Sequence, residues 1–458
     1  DYVSGGSSSG SAVAVASGLV AFSLGTDTAG SGRVPAGFNN IVGLKPTKGL
    51  VSAQGVVPAC RTLDTVSIFA LTSADAAEVL NVAGAFDAED PFSRLSPALS
   101  QRDAGQRLRI GVPEGPLEFF GDESYRDLYA QAVARTPALG AEIVRIDFAP
   151  FREAAKLLYS GPWVAERLAA IRDFANTHSA DMHDVVRGII MGASRMTACD
   201  TFDGIYRLAE LTRAAEREWA KMDVLLVPTA PTAYRIAGVL ADPVTLNSNL
   251  GTYTNFVNLM DLSAIAVPAG FRQDGIPFGV TLIARAFDDP WLAGLGDALH
   301  RSMTAITLGA TAAPLDATPP LSRTPETKHR VRVAVVGAHL TGQPLNGQLT
   351  QRNATLMGTA RTAAGYSFYA LADTEPRKPG LVFDGEGAGG IEVEIWEMDI
   401  EAFGSFVALI PAPLGIGTLT LSGGEQIKGF VCEAHAVRGA EDITRYGGWR
   451  AWLAFPSR

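Results

Sequence analysis

Two glycine-serine segments near the start of the chain constrain its fold more than any other feature: Gly5-Gly6-Ser7-Ser8-Ser9-Gly10-Ser11 and Gly25-Thr26-Asp27-Thr28-Ala29-Gly30-Ser31-Gly32-Arg33-Val34-Pro35. A flexible linker would account for the residue types but not for what joins them. Ala12, Val13, Ala14, Val15 and Ala16, then Leu19, Val20, Ala21, Phe22 and Leu24, read as a tightly packed helix running into a buried strand. A further ordered-looking stretch, Asn39-Asn40-Ile41-Val42-Gly43-Leu44-Lys45-Pro46-Thr47, follows the second loop at once. The crowding of small residues therefore needs a chemical reason.

A phosphate cradle is one such reason, but the P-loop requires G-x-x-x-x-G-K-[ST], and Ser31 stands where its lysine belongs. The dinucleotide fingerprint fails as well. Gly6-Ser7-Ser8-Ser9-Gly10 matches the G-x-S-x-G nucleophile elbow in form, yet that elbow needs a preceding strand and a later acid and histidine. Nucleophilic serine chemistry needs a base within hydrogen-bond reach. The histidines are His178, His183, His300, His329, His339 and His435, none of them near these loops, and His178 and His183 read as surface residues. A serine hydrolase without a convenient histidine points to a lysine base.

Composition narrows the partners. With 38 Lys plus Arg against 48 Asp plus Glu the formal charge is −10, so no broad basic field exists to attract nucleic acid or an anionic membrane. An anionic substrate would need a local arginine. No apolar run approaches the roughly 18 residues of a membrane span. Cys60, Cys199 and Cys432 give neither a disulfide framework nor a zinc spacing, which favours a reducing, cytoplasmic setting and no metal.

Helical stretches at 126–139, 151–176, 203–221 and 290–306 alternate with apolar runs at 110–112, 224–228, 265–268 and 279–283, the texture of an α/β layered domain. Residues 311–328 are rich in Ala, Thr and Pro without periodicity and read as a linker between domains at 1–310 and 329–458. Beyond it, β-type segments at 331–336, 366–371, 391–398, 406–410 and 427–437 predict a smaller, strand-dominated domain.

The stretch from Gly5 to about Phe69, above all its two glycine-serine loops and Gly43-Leu44-Lys45-Pro46-Thr47-Lys48-Gly49, resembles the amidase signature family. That resemblance implies a layered fold with a mixed sheet flanked by helices. It also implies a cofactor-free hydrolase using a serine, a second serine in a cis peptide, and a lysine. Ser31 matches the nucleophile and Ser7 the bridging serine, at the family's spacing of 31 − 7 = 24 positions. Backbone N–H groups at Thr28, Ala29 and Gly30 match the oxyanion hole. The family's lysine precedes the first loop by many tens of residues, so it is expected upstream of Asp1. Lys45 and Lys48 are substitutes of a kind, but Lys45 matches a different, structural position.

Tyr159-Ser160-Gly161-Pro162-Trp163-Val164-Ala165-Glu166-Arg167 reads by itself as a turn followed by a helix, with Arg167 on a solvated face. Together with the two-domain layout it resembles the allophanate hydrolases of that family, in which a Tyr and an Arg matching Tyr159 and Arg167 hold the substrate carboxylate. Guanidinium forks suit that task. The resemblance implies attack of Ser31 on the terminal carbonyl of allophanate, giving ammonia and carbon dioxide in urea degradation by a homodimer. Gly251-Thr252-Tyr253-Thr254-Asn255-Phe256 resembles a pocket wall.

Residues from about 329 resemble the C-terminal domain of the same enzymes, a gamma-glutamylcyclotransferase-like barrel, with His339 in Gly337-Ala338-His339-Leu340-Thr341-Gly342 as the residue for acid-base work on a carboxylated product. A loop-fixing role for His339, or an assembly role for the domain, stands beside it. Two other readings of the chain remain: a family member acting on another amide, including a component of a tRNA amidotransferase, and a non-catalytic scaffold lacking its base.

Overall fold

In a computed structural model of the protein, the apolar runs of the first part of the chain become neighbouring strands of one sheet. Its strands are β1 (Phe22–Asp27), β2 (Val42–Lys45), β3 (Thr65–Ala70), β4 (Arg109–Pro113), β5 (Glu142–Ile146), β6 (Val224–Pro228), β7 (Leu262–Phe271) and β8 (Pro277–Arg285). They lie in the order β1-β3-β2-β7-β8-β6-β4-β5. The β6-β4-β5 side is parallel and the rest antiparallel, so the sheet is mixed, with helices packed on it. Val224 to Val227 and Ala264 to Val267 are entirely buried. Each Val, Leu or Ile withdrawn from water in this way contributes about 1.5–3 kcal/mol. The structure describes residues 1–96, 107–303, 307–321, 330–372 and 374–455.

Several elements differ from the sequence expectation, each for a physical reason. The strand after the first loop is not buried: β1 is the sheet edge, and Phe22 and Leu24 are each 46% exposed. The helix expected over 151–176 is three, Ala149–Ser160, Trp163–Ala170 and Arg172–His178. Pro162 disfavours helical backbone in the residue before it, and Gly161 is extended, at φ −103 and ψ −166. The 406–410 run belongs to a helix, Ile400–Val407, that buries Phe406, because a short apolar run does not distinguish helix from strand. The 427–437 segment is a strand only over Gln426–Cys432 and then turns.

The chain divides into units Asp1–Pro325 and Glu326–Arg458. Residues 311–321, the first part of the expected linker, are fastened to the first unit. The Arg301 guanidinium donates to the carbonyls of Leu315, Thr318 and Pro319, and Leu321 N–H to Asp297. Residues 322–328 lie outside the described residues. The second unit has a five-stranded sheet in the order Thr355–Arg361, Glu392–Asp399, Arg330–Val335, Gln426–Cys432, Leu414–Thr420, and a three-stranded one. Among the described residues, no helix is long and apolar enough to cross a membrane, and no cluster of His, Cys, Asp or Glu could hold a metal ion.

Candidate active site

The two serine loops meet at the end of β1. Helix α1 (Ser9–Ala16) rests on the sheet through Ala12, Val15 and Ala16, side chains small enough for close approach. Ser8 stands at its N-cap but does not cap it. The Ser8 hydroxyl instead donates to the Thr26 carbonyl and accepts the Thr26 N–H, both at 3.2 Å, stitching the first loop to β1. Gly5, at φ +80, lies against helix α2 (Val34–Phe38), where a Cβ would come within 2.6 Å of Pro35 Cα. Asn39 completes the join through Ser4 O. The Gly6–Ser7 peptide is cis.

Three consecutive serines are thereby sorted. The Ser8 hydroxyl is spent on Thr26 and the Ser9 hydroxyl on the Gly5 carbonyl, whereas Ser7 is exposed and its hydroxyl has no partner among the described residues. Ser31, in the turn after β1, is half-buried, and its hydroxyl is likewise free of partners among the described residues. No acceptor among those residues takes the N–H groups of Thr28, Ala29, Gly30 or Ser31, while the Gly30 carbonyl receives Arg33 N–H and Val34 N–H. Gly30 must be glycine: its φ is +140, and a Cβ would lie 2.4 Å from Thr254 Oγ1. A cavity of about 330 Å³ opens beside the first loop, lined by Ser4, Gly5, Gly6, Ser9, Asn247 and Leu250 among others.

Beneath the turn lies a fully buried ion pair. Arg33 reaches Asp27 with Nε at 2.8 Å and with a terminal nitrogen at 2.9 Å, both side chains at 0% exposure. The Asp27 carboxylate also accepts Gly32 N–H, and Arg33 reaches the Thr254 carbonyl and Asn258 Oδ1. Burial alone would push the Asp27 carboxyl up; the Arg33 guanidinium and these hydrogen bonds outweigh it and hold the group below its ordinary value. Lys45 is also buried, with Nζ donating to Pro46 O at 2.7 Å. Its burial, only partly opposed by Asp27, pulls the ammonium down to about 7. Lys48 is lowered too, again by burial, and donates to Thr62 O.

The loop 59–64 links the serine turn to the Trp163–Ala170 helix. Asp64 accepts the N–H groups of Ala59 and Cys60 and the Thr28 hydroxyl. At the other end Cys60 Sγ donates to Trp163 O, and Thr62 bonds Glu166 through its N–H and its hydroxyl. Ala29 packs against the cluster of Cys60, Leu63, Leu158, Trp163 and Leu259, which brings the serine turn up to the segment carrying Tyr159 and Arg167. Arg167 is half-buried, its guanidinium 4.7 Å from the Tyr159 ring centre, and its Nε is buried without a hydrogen-bond partner among the described residues. It has no carboxylate partner among the described residues. Burial pushes the Cys60 thiol up to about 11, so that side chain is a neutral neighbour.

In the second unit His339 stacks on Phe430 and meets Phe406 edge-on, each at 5.1 Å. Its Nε2 pairs with Gln348 Oε1 at 2.9 Å, an acceptor oxygen that requires the proton on Nε2 and leaves Nδ1 as the lone-pair nitrogen. Burial keeps its pKa below the ordinary value, so the ring is neutral at pH 7. It lines a cavity of about 200 Å³ with Gln348, Lys378, Leu345 and Leu414. The loop carrying it is fixed from below by buried Glu394, which accepts the N–H and hydroxyl of Thr341, the Trp396 indole and Arg450. His178 and His183 are exposed, as their sequence context predicts.

Comparison with known proteins places this geometry. A family model described as Amidase matches residues 1–292, well over half of the chain. The chain belongs to the amidase family. A second model, the allophanate hydrolase C-terminal domain, matches residues 331–454 of this amidase. The urea amidolyase of Lachancea kluyveri is 42% identical over 99% of the chain, but the chain spans only 26% of that protein's length. A solved Kluyveromyces lactis allophanate hydrolase is also 42% identical, with a TM-score of 0.65 over 99% of this chain and 76% of that one. A solved glutamyl-tRNA(Gln) amidotransferase component from Thermotoga maritima is 28% identical, with a TM-score of 0.56, and 70% of each chain is covered.

Sequence reasoning about this amidase did not single out Asp27, Asp64, Thr62, Glu166 or Asn258. The first stands inside the second loop and could have been found as an acid that the buried arginine needs. Thr254 lay in the stretch expected to be pocket wall, and it is the side chain against which Gly30 packs.

Proposed function

We propose that this amidase hydrolyses the terminal amide of allophanate, with Ser31 as nucleophile and Ser7 as the serine that relays its proton. Ser31 Oγ attacks the ureido carbonyl, and the developing oxyanion lies on the unpaired N–H groups of Thr28, Ala29 and Gly30. Each such donor is typically worth about 3–4 kcal/mol in the transition state. Collapse breaks the C–N bond and releases ammonia, which takes up the relayed proton. Water then cleaves the acyl-enzyme, returning the proton to Ser31, and the carboxylated product loses carbon dioxide. In this reading the proton relay ends on a neutral lysine, as the family resemblance implies. Lys45 has its ammonium turned to the Pro46 carbonyl, which fits a structural role.

Arg167, stacked on Tyr159, binds the substrate carboxylate. What carries this reading is one coincidence: a serine turn with unpaired N–H donors packs, through Ala29, against the cluster next to an arginine that has no acidic partner among the described residues. Relatives named for allophanate hydrolysis and urea amidolysis support it. In the second unit, His339 Nδ1 takes the carboxyl proton of the carboxylated product and returns it to the nitrogen as the C–N bond breaks and carbon dioxide leaves. The protein is taken to work as a cytoplasmic homodimer, which sedimentation analysis of the intact protein checks. The decisive test is Ser31→Ala in the intact protein. Ammonia release from allophanate is expected to fall by about 10⁴-fold or more, and an unchanged rate would remove the assignment.

A further inference from the structure

The helix that presents Arg167 also presents an acid beside it. Glu166 and Arg167 are consecutive, and neighbouring helical positions diverge by about 100°, yet both side chains turn to the same loop: Glu166 bonds Thr62 through both oxygens, and the Cys60 thiol feels the charge of Arg167. A carboxylate that turned from that loop to the guanidinium would compete with any anionic ligand for it. A salt bridge between them would close the site that the proposed function needs open.

The structure shows where the carboxylate goes instead. Thr62 occupies both oxygens of Glu166, its N–H at 2.7 Å from Oε1 and its hydroxyl at 2.8 Å from Oε2. Arg167 meanwhile lies over the Tyr159 ring, with Nε buried and unpaired. Thr62 belongs to the loop whose other end, Asp64, holds the Thr28 hydroxyl. That loop is braced independently by Asp64 on Ala59 and Cys60 and by Cys60 on Trp163, so its shape does not depend on the Thr62 hydroxyl alone.

We propose that Thr62 determines specificity by positioning: it sequesters the Glu166 carboxylate and so leaves Arg167 open to the carboxylate of the substrate. This rests on the reading of Arg167 given above. Thr62 touches neither substrate nor reacting atoms and acts only through Glu166. Its hydroxyl makes the difference between an acid with both oxygens engaged and one with an oxygen free to turn toward the guanidinium.

The test is a pair of substrates of one shape and different charge, allophanate and neutral biuret, assayed on the intact protein. In Thr62→Val the KM for allophanate should rise about tenfold with kcat nearly unchanged, while the KM for biuret stays within about twofold. Adding Glu166→Gln to that variant should return the allophanate KM to near the wild-type value, because no carboxylate is left to compete. Thr62→Ser, which keeps the hydroxyl, should behave as wild type.

A merely structural clamp predicts equal damage to both substrates and no rescue by Glu166→Gln, and either result overturns the proposal. So does an unchanged allophanate KM in Thr62→Val. Arg167→Met in the same assay separates the two levels of inference. If it fails to discriminate allophanate from biuret, the reading of Arg167 falls. If it discriminates while Thr62→Val does not, only the role of Thr62 falls.

Discussion

Two sites, one in each unit, bury polar chemistry in opposite ways. The first buries charge: Asp27 and Arg33 lie at zero exposure and keep one another ionised through two direct hydrogen bonds. The second buries a neutral ring: His339, between Phe430 and Phe406, is held uncharged by the same loss of water that the ion pair tolerates. The difference is one of partners. Gly32, Thr254 and Asn258 complete the shell of the ion pair, whereas His339 has one neutral amide. A turn that must hold several backbone N–H groups in one orientation gains from fixed charges beneath it. A histidine that is to act as a base gains from having its lone pair left unprotonated.

The largest test of this contrast is Arg33→Met. Removing one member of a buried pair leaves the other charged and alone, and the expected loss is about 3–5 kcal/mol, read as a shift of the denaturant midpoint, with ammonia release falling alongside it. A loss below about 1 kcal/mol would mean that the pair behaves as a surface one. Next in size is Arg167→Met, for which the KM for allophanate should rise about ten- to a hundredfold, or roughly 1.4–2.7 kcal/mol, with little change for biuret. Steady-state kinetics on both substrates decides it.

A smaller effect separates charged from neutral burial by pH. His300, in the first unit, is buried with both ring nitrogens unpartnered among the described residues, and its burial pulls the pKa down to about 3. The unfolded chain therefore takes up a proton near the ordinary value of 6.5 that the folded protein refuses. Stability contributed by this group is complete above 6.5 and is lost as pH falls toward 3. Between pH 6.5 and 5 the loss amounts to at most about 2 kcal/mol, and His300→Leu should flatten that slope in denaturation curves. The Asp27 pair changes in the same direction but in a lower window: its contribution holds above 3.8 and fades only as pH drops through the lowered folded value. The smallest effect is spectroscopic. The imidazole of His339 should titrate below 6.5 by NMR, and Gln348→Ala should change its tautomer signature without moving the first unit's kinetics.

How far the sequence reveals all this depends on what enforces each residue. The serine loops were legible because their glycines face fixed neighbours: a Cβ on Gly5 meets the Pro35 backbone and one on Gly30 meets Thr254, so the pattern of small residues is dictated by space. The strands at Leu225 and Ile265 were legible because full burial leaves a continuous apolar run. The bond between Thr62 and Glu166 spans 104 positions and joins a loop to a helix face, so no local period announces it. Asp27 and Arg33, six positions apart, fit no helical repeat and share no strand, and are paired only because the intervening turn folds back. The break at Pro162 was visible as a turn signal, yet the apolar periodicity on either side masked it.

The exposed edge strand has a practical consequence for handling the protein. β1 pairs with one strand only among the described residues, its outer side held by serine hydroxyls, Ser8 on Thr26 and Ser11 on Leu24 O, and it shows Phe22 and Leu24 to solvent with Leu19 and Val20 close by. An apolar edge covered by serine side chains rather than by another strand becomes, once those contacts open, a template on which another chain can add a strand. A polypeptide that carried these residues with that edge uncovered would self-associate and precipitate in proportion to concentration. A charged residue placed at Leu24 is then a solubility device that leaves the serine turn untouched.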